Sequence, residues 1–198
     1  MKKSIIYKII IILVGIFSLI ATTGLLDGHY SGNIFKMFTT LINLLCVLYY
    51  IFDVIYLIIK KKDLLPILKQ MVLIGMTLTF LIVIFVLRMG FGFSSFMNAS
   101  FLGLHFIVPI MVILDYFLFD KKGLVKSYSP LIWIILPLLY LIINIILVEK
   151  GIINNYPYLF IDINSLGLKK VITNISIITL IYFIFTYSFY FLDKRLNK

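Results

Sequence analysis

The chain has little charge to hold it in water. Of its 198 residues only 13% are Asp, Glu, Lys or Arg, while 63% are hydrophobic, and mean hydropathy is +1.14. A soluble domain of this size has too much surface for its volume to hide so large an apolar fraction, so an ordinary water-soluble fold is excluded. There is one cysteine, Cys46, so no internal disulfide can form, and the redox compartment stays open. There are two histidines, His29 and His105, and no Cys/His spacing of the kind that holds zinc. His29 falls in a loop, which leaves a single membrane histidine and argues against haem held between helices. No P-loop, dinucleotide-binding glycine motif, internal repeat or low-complexity tract is present. No cofactor and no metal are expected.

What the chain does have is a series of long apolar runs. A membrane-spanning helix needs ~20 mostly apolar residues. Six runs qualify: residues 4–23, 38–59, 66–87, 101–119, 131–148 and 171–192. Isoleucine is frequent in them and would favour strands in water, but their length and the lack of period-2 alternation decide for helix. A transmembrane barrel would show alternating segments of about ten residues instead. The expected fold is all-α: a polytopic bundle of six transmembrane helices forming one domain over residues 1–198. Met1-Lys2-Lys3 ahead of an apolar run resembles the start of a signal peptide. The run is long and no small-residue cleavage site follows, so a retained first helix is expected.

The formal charge of +10 would point to nucleic acid in a soluble protein. In a membrane protein it follows from the excess of Lys and Arg in cytoplasmic loops. With a cytoplasmic N-terminus, the inner side collects Lys2, Lys3, Lys8, Lys60, Lys61, Lys62, Lys69, Lys121, Lys122, Lys126, Lys194, Arg195 and Lys198. The outer side keeps only Lys36, Arg88, Lys150, Lys169 and Lys170. Both termini are therefore expected in the cytoplasm, in the plasma membrane of the cell, with no nucleic-acid partner. The outer loops are longer and chemically more varied than the short basic inner ones, and function tends to sit on such loops.

Polar side chains inside a membrane are expensive and usually face the bundle interior. Thr39, Asn43, Cys46, Tyr50 and Asp53 recur at spacings of four and three and share one face of the second helix. Such a stripe either lines a polar site or merely joins helices by hydrogen bonds. His105 lies near the start of the fourth helix, at a depth similar to Thr39, whereas Asp53 and Asp115 lie ~15–21 Å deeper and are expected to pair with the basic inner loops. Pro109 cannot donate to the carbonyl four residues earlier, which in an α-helix belongs to His105. A kink with a freed acceptor is therefore expected, tolerated only where protein or water satisfies it. A hydroxyl and an imidazole are the minimum for nucleophilic acyl transfer, with Thr39 or its neighbour Thr40 as nucleophile and His105 as base and then acid. Asn43, Arg88, Tyr156 and Tyr158 are candidates for substrate or oxyanion contact. Arg88 equally suits headgroup anchoring, and the tyrosines suit the aromatic belt of the interface.

Three stretches carry a resemblance. They are Phe35-Lys36-Met37-Phe38-Thr39-Thr40, Leu104-His105-Phe106-Ile107-Val108-Pro109, and Tyr156-Pro157-Tyr158-Leu159-Phe160-Ile161-Asp162. In order and hydropathy the chain resembles the androgen-induced-protein-like family of six-helix membrane proteins, in particular its small bacterial branch. Animal members of that family hydrolyse fatty-acid esters of hydroxy fatty acids with a threonine nucleophile and a histidine. The resemblance implies Thr39 and His105 as the corresponding pair, and a membrane lipid or acyl ester as substrate. Two other classes compete: a small-solute transporter or channel, which would use Asp53 and Asp115, and an accessory protein without chemistry.

Overall fold

A computed structural model of the chain describes residues 2–28, 30–62, 64–84 and 98–197. Among these the secondary structure is helical throughout. Five helices are long and apolar enough to cross a membrane: α1 (Lys2–Thr22), α2 (Phe38–Lys60), α4 (Ser100–Phe119), α5 (Ser129–Glu149) and α6 (Leu168–Leu196). A shorter apolar helix, α3, runs over Pro66–Ile82. Five such helices suggest a multi-pass membrane protein. The expected third run, residues 66–87, is helical as far as it is described, and its last residues lie outside the described part.

The chain divides into two compact units, Met1–Lys121 and Lys122–Lys198. In the first unit α1 packs on α2, α2 on α3, α3 on α4, and α4 returns to α1, so the four helices close a ring. Apolar residues of all four fill the middle, among them Ile11, Ile42, Ile74, Met76, Val108 and Val112. Lipid tails are as apolar as these side chains, so the ring is held by close contact rather than by escape from water. Small residues sit where the helices come nearest. A Cβ on Gly75 would lie 2.5 Å from Ile42, and one on Gly15 would lie 2.5 Å from Val47. A Cβ on Gly103 would collide with the Ser18 side chain.

Local chemistry sets the helix ends. Pro66 opens α3, where its missing N–H is not needed. Asn98 caps α4 by accepting from the N–H groups of Ser100 and Phe101 at 2.9 and 3.3 Å. α2 ends at Lys61, which takes the left-handed conformation (φ 56°) and donates its N–H to the Leu57 carbonyl.

The second unit is built on α5 and α6. Pro137 removes the backbone donor that the Trp133 carbonyl would meet in an unbroken helix, and the helix loosens at Ile134. The Tyr182 hydroxyl of α6 donates to that carbonyl at 3.2 Å. At one end of α6 the buried Asp193 accepts from the Val125 N–H at 3.0 Å.

Candidate functional site

The fourth helix is not α-helical where the sequence places its histidine. Gly103–Ile107 forms a π-helical turn, and Val108 donates to the carbonyl of Gly103 rather than to that of Leu104. In that register the carbonyl of Leu104 looks to residue 109 for its donor. Residue 109 is proline and has none. The orphaned acceptor is therefore Leu104, one residue earlier than the α register gives, and the expectation for His105 is corrected accordingly. A buried carbonyl needs a partner, and Asn43 of α2 supplies it at 3.1 Å.

The same Asn43 amide donates to the carbonyl of Thr39 at 2.9 Å. The two carbonyl oxygens thus lie no more than about 6 Å apart, the reach of two hydrogen bonds from one nitrogen. An amide has two N–H groups, and both are engaged, so Asn43 ties the start of α2 to the π turn instead of offering a donor to a substrate. Its Oδ1, fully enclosed, has no partner among the described residues.

Thr39 is half-buried and lies one turn from Asn43 on the same face, whereas Thr40 is buried at 2% exposure. The Thr39 hydroxyl makes no hydrogen bond to a described residue, and in particular none joins it to His105. The imidazole is half-buried, with its ring 4.6 Å from that of Phe101. Its Nδ1 lies 3.1 Å from the Phe101 carbonyl. A carbonyl only accepts, so Nδ1 carries the proton, and in the neutral ring the lone pair is on Nε2, facing away from that bond. The local structure thus favours one tautomer, and no described residue bonds its basic nitrogen.

The rest of the α2 stripe is the interior face of the helix: Asn43, Cys46, Tyr50 and Asp53 are all fully buried. Its other end holds charged side chains. Asp53 pairs with Lys8 of α1 at 2.5 Å and accepts from the Leu64 N–H at 2.7 Å. Asp115 of α4 pairs with Lys69 of α3 at 2.6 Å and accepts from the Tyr50 hydroxyl at 3.0 Å. Lys69 also bonds Asp120, just past the end of α4. Lys8 and Lys69, counted among the inner basic charges, are thus buried residues of α1 and α3, and the two aspartates pair with them, Asp53 also meeting the backbone of the α2–α3 loop. The available signal was the cost of a carboxylate in a spanning helix, which demands a cation within a turn of its depth. Burial beside this cluster pushes the Asp120 carboxyl up to about 6, although the Lys69 ammonium pulls it down.

Arg88 lies outside the described residues, as does His29. Tyr156 and Tyr158 belong to the second unit. Tyr156 donates to Glu149 at 2.5 Å, and desolvation with that bond pushes its phenol up to about 12. Tyr158 stacks on Phe160 at 5.3 Å and meets Tyr140 edge-on at 6.3 Å. Asn174 fixes this segment by donating to the Phe160 carbonyl at 3.0 Å. Among the described residues no group of His, Cys, Asp and Glu is arranged to hold a metal ion.

Comparison of the chain with protein-family models, with curated proteins and with solved structures finds no match.

Proposed function

We propose that the protein is a membrane-embedded lipid ester hydrolase with Thr39 as nucleophile and His105 as general base. The observation that carries this reading is the pair of hydrogen bonds from Asn43 to the backbone carbonyls of Thr39 and Leu104, which brings the start of α2 up to the turn that carries His105. The tautomer of His105 adds to it, since a base needs its lone pair open. The openness of Thr39 against the burial of Thr40 favours Thr39 for the attack.

In this reading the Thr39 hydroxyl comes within hydrogen-bond reach of Nε2 when the ester binds, since such catalytic bonds are often long before substrate is present. The Thr39 oxygen attacks the carbonyl carbon as Nε2 of His105 takes its proton. The tetrahedral intermediate collapses, and the alcohol leaves with the proton returned by His105. Water, deprotonated by the same nitrogen, then attacks the threonyl ester, and the acid is freed as His105 returns that proton to the Thr39 oxygen. Arg88 remains a candidate for contact with an acyl substrate. The reading includes a six-helix bundle in the plasma membrane with both termini cytoplasmic. The uneven distribution of lysine supports that topology, and the motif resemblance to the androgen-induced-protein-like family supports the chemistry.

The transport alternative needs carboxylates open to a solute path. Asp53 and Asp115 are instead enclosed and engaged by ammonium groups.

The test is labelling of purified protein by a fluorophosphonate probe. Labelling is expected for the native protein and for Thr40→Ala, and is expected to fall at least about 100-fold in Thr39→Ala and in His105→Ala. Native-level labelling of both Thr39→Ala and His105→Ala defeats the mechanism. Solute flux into liposomes that survives Thr39→Ala but is lost in a folded Asp53→Asn variant establishes the transport class instead.

A further inference from the structure

A groove of about 270 Å³ runs along the outside of α2, lined by Phe52, Ile55, Tyr56, Ile59, Lys60 and Leu64. Its walls are hydrocarbon and aromatic rings, and Phe52, Ile55 and Ile59 are 57, 47 and 66% exposed. The far wall is fixed. Leu64 is clamped at both backbone groups, donating to Asp53 at 2.7 Å and accepting from the Tyr49 hydroxyl at 3.4 Å.

The end of the groove is basic. Lys60 lines it, and Lys61 and Lys62 follow in the chain, all three exposed. Lys61 holds the left-handed conformation (φ 56°) at the position after the helix where glycine is the usual residue.

We infer that this groove binds one anionic phospholipid, with an acyl chain along Phe52, Ile55 and Ile59 and its phosphate among Lys60, Lys61 and Lys62. Charge complementarity selects the occupant. With α2 spanning a bilayer, its apolar length reaches the acyl chains and the lysines at its end reach the headgroups, where anionic lipids attract basic residues. A zwitterionic lipid offers no net charge to the three ammoniums. A free anion meets them without using the groove.

The test is native mass spectrometry of the purified protein with phosphatidylglycerol or phosphatidylcholine of identical chains. Phosphatidylglycerol is expected to remain bound and phosphatidylcholine to be lost. Replacement of Lys60, Lys61 and Lys62 by glutamine is expected to weaken phosphatidylglycerol binding by about fivefold per lysine. Ile55→Trp, which fills the groove and keeps every charge, is expected to weaken it as well. Free glycerol phosphate is expected not to compete. Equal retention of the two lipids overturns the inference. So does native retention in the glutamine variant or in Ile55→Trp, competition by glycerol phosphate alone, or a groove occupied by a second copy of the chain. All substituted side chains are exposed, and unchanged melting of each variant confirms that binding, not folding, is being read.

Discussion

Asn43 on α2 reaches across to the carbonyl of Leu104 on α4 at 3.1 Å, filling a vacancy made by a π turn and a proline together. Neither the turn nor Pro109 alone orphans that particular carbonyl. The asparagine is therefore the third part of one device.

Replacing Asn43 by leucine is expected to destabilise the protein by about 1–2 kcal/mol, the worth of a buried interhelical hydrogen bond whose acceptor is left bare. Pro109→Ala restores a backbone donor to the same neighbourhood. The pair of substitutions is expected to cost less than the sum of the two, read as a double-mutant cycle of thermal unfolding in detergent. Strict additivity would dissociate Pro109 from the Asn43 contact.

The Lys8–Asp53 pair is almost wholly enclosed, at 1% and 0% side-chain exposure. Removing one partner leaves a bare charge in a low-dielectric interior. Lys8→Met alone is expected to cost about 3–5 kcal/mol. Lys8→Met with Asp53→Asn, which removes both charges and keeps an acceptor for the Leu64 N–H, is expected to recover most of that loss. Melting temperatures of the native protein and the two variants check it.

Asp120 is held up to about 6 by burial. A carboxyl raised above its unfolded value favours the folded state while protonated. Its contribution is therefore fully present below the ordinary carboxylate value near 4 and disappears as pH rises through about 6. The native protein is expected to lose stability relative to Asp120→Asn across that window. A pH series of melting curves that stays parallel for the two proteins would refute the shift.

Lys61→Gly relieves a left-handed conformation and is expected to stabilise the isolated protein by about 1 kcal/mol. The same variant is expected to hold phosphatidylglycerol less well. The two readings move in opposite directions, which separates backbone relief from lost charge. Melting and lipid retention measured on one preparation decide it.

Much of the helical layout was legible from length and apolar content alone. The inward stripe of α2 was legible too, because a three-four spacing survives whatever surrounds it. The register of α4 was not. Counting back four residues from Pro109 assumes an α-helix, and only coordinates reveal the extra residue in the turn at Gly103–Ile107. The burial of Lys8 and Lys69 was hidden for another reason. Both stand within two turns of a helix start, where lysines ordinarily extend to the interface, and only the helices packed against them show where their ammonium groups end. The approach of the Thr39 and Leu104 carbonyls depended on the packing of α2 against the π turn of α4. Spacing along one helix carries no information about its neighbour.

The two buried ion pairs also bear on how the chain enters a bilayer. One joins α1 to α2 and the other joins α3 to α4, so each cation meets its anion within the helical hairpin that carries it. A growing chain can therefore neutralise the first hairpin before the second has been synthesised. Membrane integration can proceed two helices at a time, without a lone ammonium waiting in hydrocarbon for a distant mate.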